Sequence, residues 1–315
     1  MTGARDHGGG LDAAIARYGG ARADWLDLST GINPLPYPVP ELAPDAWTAL
    51  PDSAAQGALI AAARRLWRVP EGADILATHG ASAPIARLPM LARAGRVAIA
   101  GPTYNEHAAA FRAAGWQVLD NGPKQNADAI VAVHPNNPDG RLWDASTLTA
   151  PLNVIDESFG EVAPEASLIR LASRPGTLVL KSFGKFWGLA GLRLGFVIGD
   201  PVLIAPLREA LGPWPVSGPA LQIGAQALAD TKWAEATRER LAADAARLDA
   251  LLLSRGAKPI GGTTLFRLYD VDDAKSWQNR LARARVWSRS FPYSRTWLRL
   301  GLPAPDRWSS LTAAL

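Results

Sequence analysis

Hydrophobic and polar positions fall into one recurring pattern through the middle of the chain. From "SAAQGALIAAARRLW" (residues 53–67) onward, segments with apolar residues at helical spacing alternate with short, nearly continuous apolar runs. "DILATHG", "RVAIAGP", "AIVAVHP", "LNVIDES", "TLVLKSFG" and "LGFVIGD" are such runs, each closed by turn-forming residues. Short apolar runs bounded in this way predict strands buried on both faces. The segments between them, including Ala83–Ala94 and His107–Ala114, predict helices. Strands separated by helix-length segments imply βαβ units and a mostly parallel sheet.

The two ends of the chain depart from this pattern. Residues 1–45 are rich in Gly and Pro and include "STGINPLPYPVP", so little regular structure is expected there. After Asp200, "GPWPVSGPA" reads as a hinge, and Leu221–Arg255 as one long helix. The short strands "TLFRLYD", "RVWSRSF" and "WLRLGLP" follow. The expected organisation is a large α/β domain over residues 46–212 and a smaller α+β domain built from both chain ends, 1–45 and 213–315.

Composition narrows the class. With 48% hydrophobic and 20% charged residues, the 315-residue chain reads as an ordinary globular protein. The net charge of +4 is spread without basic runs, so no nucleic-acid partner is expected. Cysteine is absent, which excludes disulfides, thiolate metal sites and cysteine nucleophiles, and no metal is expected. The N-terminus lacks a basic-then-apolar leader, and no window approaches the ~18 apolar residues of a membrane span. A cytoplasmic enzyme with no membrane partner is the expectation.

In open parallel sheets, functional groups gather at the carboxyl ends of strands. After "DILAT" come Gly80, Ala81 and Ser82, which are either an anion cradle at a helix start or a capping turn. Tyr104 follows "VAIA", where it either stacks on a flat ligand or covers the core edge. "HPNNPDG" brings Asn137 after the third run, although two asparagines between prolines are also ordinary turn chemistry. Asp156 ends "LNVI", either as a helix cap or as a deep carboxylate that needs a partner.

The fifth run opens "KSFGKFWGLAGLRLGFVIG", with Lys181, Ser182, Lys185 and Arg193 in an otherwise nearly uncharged stretch. Each feature is weak alone, but together they match the needs of pyridoxal phosphate. Its phosphate takes amides, hydroxyls and an arginine, and its ring takes an aromatic. Its phenolic oxygen takes a donor, its ring nitrogen an acid and its aldehyde a lysine.

These segments resemble the fold-type I pyridoxal-phosphate enzymes of the class I/II aminotransferase group. "HPNNPDG" is similar to N-P-x-N-P-[TS]-G, "DESF" to D-E-[AS]-[YF], and "SFGKFWGLAGLRLG" to S-x-[ST]-K-x(5–6)-G-L-R-x-G. The resemblance implies that Lys185 bonds the cofactor, with Ser182, Arg193, Ala81 and Ser82 on its phosphate. It further implies Tyr104 against the ring, Asn137 at the phenolic oxygen and Asp156 at the ring nitrogen. Arg299 in "WLRLGL" matches the arginine that holds a substrate α-carboxylate through a bidentate fork. Lys181, one step earlier on the strand, is left as a structural or solvated residue. A homodimer is expected, because the family builds its sites at subunit interfaces.

Within the group the chain looks most like the threonine-phosphate decarboxylases of cobalamin biosynthesis, with histidinol-phosphate aminotransferases as close cousins. "DHGGG" and "DLSTGINP" resemble the decarboxylases' substrate segments, and Leu50-Pro51-Asp52 stands where aminotransferases usually have Tyr-Pro-Asp. Phe159 replaces a common tyrosine, removing a hydroxyl near the cofactor, and His134 stands where asparagine is commoner. The resemblance implies a carbon–carbon lyase acting on L-threonine O-3-phosphate, with a histidinol-phosphate-type aminotransferase as the alternative. Either substrate carries a phosphate, for which His7, Asn33 and Arg289 are candidates. Arg289 reads equally well as a solvated strand arginine, and His7 as part of a loose tail.

Overall fold

A computed structural model describes residues 7–120 and 126–315 of the chain. These described residues divide into two compact units: those of 36–137 with 141–235, and 7–35 with 138–140 and 236–315.

The larger unit is built on a seven-stranded sheet. Its order is Asp74–His79, Leu194–Gly199, Thr177–Ser182, Leu152–Asp156, Ala129–Val133, Arg96–Ile99 and Gln117–Leu119. Leu194–Gly199 runs antiparallel to both neighbours, and the other pairings are parallel. Each of the six apolar runs forms a strand. Gln117–Leu119, short and partly exposed at the sheet edge, lacks the continuous apolar signal of the inner strands.

Every residue of Ala129–Val133 and Leu152–Asp156 is buried, as two covered faces require. Val131, Val154, Leu178, Leu180 and Val197 pack with Leu88, Phe111, Ile204 and Leu207 from the covering segments. Each such side chain contributes about 1.5–3 kcal/mol when removed from water.

Several helices differ from the sequence expectation. Ala83–Ala94 is not one helix: Ser82–Ile85 makes a single α-turn and Leu88–Leu91 a 3₁₀ turn. Pro84 and Pro89 offer no backbone N–H to continue the ladder. Leu221–Arg255 divides into Gly218–Ala229 and Thr231–Leu253, with Asp230 between them accepting from Trp233 N at 3.0 Å. An aspartate that caps the following helix stops one helix and starts the next. Asp52 acts likewise, accepting from Ala55 N at 2.7 Å at the head of Ser53–Leu66.

The unit boundaries also lie outside 46–212. Residues 36–45 and 213–235 belong to the larger unit, because they pack on its core. Tyr37 N donates to Trp187 O, and Trp233 stacks on Trp187 with ring centroids 5.2 Å apart. A Cβ on Gly224 would lie 2.5 Å from Leu194 Cδ2 and 2.8 Å from Leu59 Cδ1, so that helix packs closely on the sheet.

In the smaller unit a four-stranded antiparallel sheet runs in the order Arg289–Phe291, Ser294–Gly301, Phe266–Asp270 and Lys258–Thr263. Leu26–Asp27 pairs in parallel with Val286–Trp287. The N-terminal segment carries a helix, Leu11–Tyr18, which the glycines around it obscure in the sequence. Its Leu11, Ala14, Ile15 and Tyr18 fall on one face and pack with Trp25 and Ala282.

Candidate active site

The carboxyl ends of the larger unit's strands surround one pocket. Ala81, Ser82, Tyr104, Asn137, Asp156, Ser182, Lys185 and Arg193 all line it, together with Ser158, Phe159, Gly184 and Ala190. The fold thus gathers the eight residues that sequence reasoning set aside for a cofactor.

At its acid end, Asp156 is 1% exposed. Its Oδ1 accepts from Ser158 Oγ at 2.5 Å and from Ser158 N at 2.9 Å, while Oδ2 meets His107 Nε2 at 2.7 Å. Burial pushes this carboxyl up, but the His107 bond and charge and the two Ser158 bonds outweigh it. The group is held below the ordinary carboxylate range. The pocket therefore presents a formed negative charge to any basic ring nitrogen.

His107 and Ser158 were not singled out from sequence. His107 lies on Asn105–Ala113 one helical turn past Tyr104, and the two rings meet edge-on at 6.0 Å. That i, i+3 spacing from a strand-end aromatic was the available signal.

Lys185 projects from the turn after Thr177–Ser182, with its Nζ over the Phe159 ring at 5.7 Å from the centroid. A phenyl face offers an ammonium a cation–π contact in place of a hydroxyl's hydrogen bond. Gly184 lets this turn close, since a Cβ there would sit 3.0 Å from Ala190 Cα.

Arg193 has φ +54° and donates to Ala190 O at 3.1 Å. Its guanidinium lies where a side chain on Gly80 would be: a Cβ there would come within 2.5 Å of Arg193 Nη2. Glycine at position 80 makes room for the cation beside the Ala81–Ser82 turn, a donor set suited to a phosphate.

Lys181 is buried, not solvated. Its Nζ pairs with Glu157 Oε2 at 2.8 Å and Glu161 Oε1 at 3.2 Å. Burial pulls its pKa down, but the two carboxylates reverse this and hold it above the ordinary lysine value. His134 also gains a structural account. Its Nδ1 accepts from Trp143 N at 2.9 Å and its Nε2 lies 2.8 Å from Ala166 O, so the ring bridges two loops and its tautomer is set. Asn136 is a clamp as well, joining Thr103 Oγ1 and Pro102 O, while its neighbour Asn137 reaches the pocket.

The four substrate candidates all belong to the smaller unit. Arg289 and Arg299 are cross-strand partners on its sheet. Arg299 is 4% exposed, donates to Ser29 O at 2.6 Å and lies over the Phe266 ring. His7 is exposed at the start of the described chain. The next residue, Gly8, lies against Ser29 and Arg289, and Gly9 N donates to Ser29 Oγ. Asn33 is buried and its Oδ1 accepts from Arg240 Nη2 at 2.6 Å and from Leu35 N at 3.1 Å. Arg240, itself paired with Asp244, carried no recognisable sequence signal.

The pocket's chemistry fits pyridoxal phosphate. A buried ionised acid, an amine, a phosphate-type donor set, an aromatic ring and the Asn137 amide answer the five demands of that group.

Comparisons with known proteins agree. The chain is 41% identical to the threonine-phosphate decarboxylase of Pseudomonas aeruginosa, covering 98% of this chain and 97% of that one. Identity to the threonine-phosphate decarboxylase of a Sinorhizobium species is 44%, over 95% and 93% of the two chains. Among solved structures, the histidinol-phosphate aminotransferase of Sinorhizobium meliloti, determined with pyridoxal-5'-phosphate, superposes with a TM-score of 0.77. That match has 18% identity over 96% of this chain and 92% of the other. The profile of the family described as aminotransferase class I and II matches residues 23–308. The chain belongs to that family of pyridoxal-phosphate enzymes.

Proposed function

We propose that the protein decarboxylates L-threonine O-3-phosphate to (R)-1-aminopropan-2-ol O-2-phosphate, a carbon–carbon lyase step of cobalamin biosynthesis. The observation that carries this is the identity of 41–44% to decarboxylases of that name along nearly the whole of both chains. When bound, pyridoxal phosphate would supply an electron sink for the bond that breaks at the substrate Cα.

The chain's own residues do the rest. Lys185 would hold the cofactor through its aldehyde. The Lys185 amine, which lies over Phe159, would carry the proton that takes the place of CO2 at the substrate Cα. Asp156 keeps a proton on the ring nitrogen, and the His107 and Ser158 bonds keep Asp156 ionised for that task. Arg193, Ser182, Ser82 and the Ala81 amide would hold the cofactor phosphate. Tyr104 would cover the ring and Asn137 would donate to the phenolic oxygen.

We assign Arg299 to the substrate α-carboxylate, since it is buried and already oriented by Ser29 O and Phe266. Arg289, His7 and Asn33 are assigned to the substrate phosphate. No helix among the described residues is long and apolar enough to cross a membrane. We propose a cytoplasmic homodimer, which sedimentation velocity tests as twice the 33.4 kDa chain mass.

The deciding experiment is incubation with L-threonine O-3-phosphate in the absence of any oxo acid, with CO2 trapped and the product followed by phosphorus NMR. Stoichiometric CO2 and aminopropanol phosphate support the assignment. Turnover that requires an oxo-acid acceptor overturns it in favour of an aminotransferase.

A further inference from the structure

Behind the pocket, on the opposite face of the sheet, lies a second cluster of charged groups to which the chemistry above gives no role. Side chains alternate along a strand, so Ser182 faces the pocket and Lys181 faces away from it. The same alternation sends Asp156 forward and Glu157 back. Glu157 N donates to Leu180 O at 2.9 Å, the last rung between these two strands.

At that rung Lys181, Glu157 and Glu161 meet, with exposures of 3%, 0% and 3%. Lys181 Nζ contacts Glu157 Oε2 at 2.8 Å and Glu161 Oε1 at 3.2 Å, and lies 5.4 Å from the centre of the Trp67 ring. Glu157 accepts from two further donors: Oε1 from Leu168 N at 2.6 Å, and Oε2 also from Ser167 Oγ at 2.7 Å. A Cβ on Gly160 would stand 3.0 Å from Glu157 Cβ and 3.3 Å from Lys181 Nζ, so the chain turns tightly around the cluster.

The segment folded around these bonds, Glu157–Leu168, contains Ser158 and Phe159. One holds the pocket's acid and the other faces its lysine. The strand that supplies Lys181 continues directly into Ser182 and Lys185.

We propose that Lys181 and Glu157 are positioning residues. Their buried ion pair clasps the Asp156–Phe159 turn to the Ser182–Lys185 turn, and so sets the spacing between the acid at the ring nitrogen and the lysine at the aldehyde. Glu161 balances the same cation but is not contiguous with the acid, so its part is structural. The proposal rests on the assignment of Asp156 and Lys185 to the cofactor.

The test compares two holoenzyme variants that each remove one carboxylate from the same cluster, Glu157→Gln and Glu161→Gln. Kinetics, the pH titration of the lysine-bound cofactor's absorbance, and melting temperature are read together. Glu157→Gln is expected to lower kcat about tenfold or more with KM little changed, and to displace the spectral midpoint. Glu161→Gln is expected to leave kcat within about twofold and the midpoint in place, although both variants melt earlier. Amide exchange of the apoenzyme should show faster exchange of residues 157–168 in Glu157→Gln.

Equal effects of the two variants on kcat and on the midpoint would overturn the proposal, since that pattern is general loosening. If Glu157→Gln does not fold, Lys181→Arg replaces it. That variant keeps the charge and is expected to hold kcat within about threefold with an unmoved midpoint. A tenfold loss there at wild-type melting temperature also overturns the clasp. A wild-type enzyme lacking the lysine-bound absorbance would instead refute the cofactor assignment itself.

Discussion

Asp156 and Glu157 are adjacent, equally buried and both held ionised, yet they sit in opposite environments. On the pocket face, Asp156 is met by an imidazole and by the hydroxyl and amide of one serine. On the back face, Glu157 meets a lysine, a hydroxyl and an amide. Burial opposes ionisation in both, and in both the partners outweigh it. The partners differ in kind. Asp156 meets a single ring nitrogen, whereas Glu157 meets an ammonium that two carboxylates hold charged. Two nearly equal burials are thus offset by partners of different kind.

The sharpest way to separate the faces is to remove their lysines in turn. Lys185→Ala should abolish the absorbance of the lysine-bound cofactor and lower turnover at least about 10³-fold. Its melting temperature should stay near that of the wild-type apoenzyme. Retained absorbance would break the assignment of that lysine. Asp156→Asn comes next, with kcat lower by on the order of 10²-fold, because a preorganised charge at the ring nitrogen is lost. Cofactor should still bind, and kinetics at saturating cofactor would show it.

Lys181→Met is expected to show the reverse balance. It leaves two buried carboxylates without their cation, which costs about 3–5 kcal/mol of stability, and a melting temperature lower by roughly 10 °C would report it. The pH profile follows from the shifts. Glu157 is depressed below 4.5 in the folded chain, so its stabilisation is complete above that value and disappears as pH falls through the folded pKa. Lys181 is raised above 10.5, so its contribution is complete below that value and is lost as pH rises through the folded pKa. Wild-type stability should therefore fall at both extremes, and Lys181→Met should flatten the alkaline fall. Thermal melts across pH check this.

Much of this division was legible in sequence and some was not, for physical reasons. The inner strands announce themselves because both faces are buried and the runs are continuous, as in "AIVAV" and "LNVI". The pocket residues follow once strand ends are known, since the fold fixes where those ends gather. Lys181 was different. A lysine inside an apolar run can be solvated or paired, and its acids lie 24 and 20 residues earlier with no spacing that links them. His107 was hidden for a similar reason: on a helix, a histidine among alanines looks the same whether or not it faces a carboxylate. Arg240 likewise reaches Asn33 across 207 positions of sequence.

A smaller effect tests the phosphate end of the pocket face alone. Gly80 has φ +67°, and Gly72 has φ +82°, so alanine is strained at both by about 1–2 kcal/mol. Their surroundings differ. A Cβ on Gly72 meets nothing within 4 Å, whereas one on Gly80 would lie 2.5 Å from Arg193 Nη2 and 3.1 Å from Cζ. Arg193 is exposed and long, so it can swing aside rather than destabilise the fold. Gly80→Ala and Gly72→Ala should then lose similar stability. Only Gly80→Ala should bind pyridoxal phosphate more weakly, by about tenfold, the loss of roughly one charge-assisted contact. Equilibrium dialysis of the two variants gives the ratio directly. Equal affinities would mean that the guanidinium keeps its contact after moving, so the phosphate end tolerates displacement that the acid end does not.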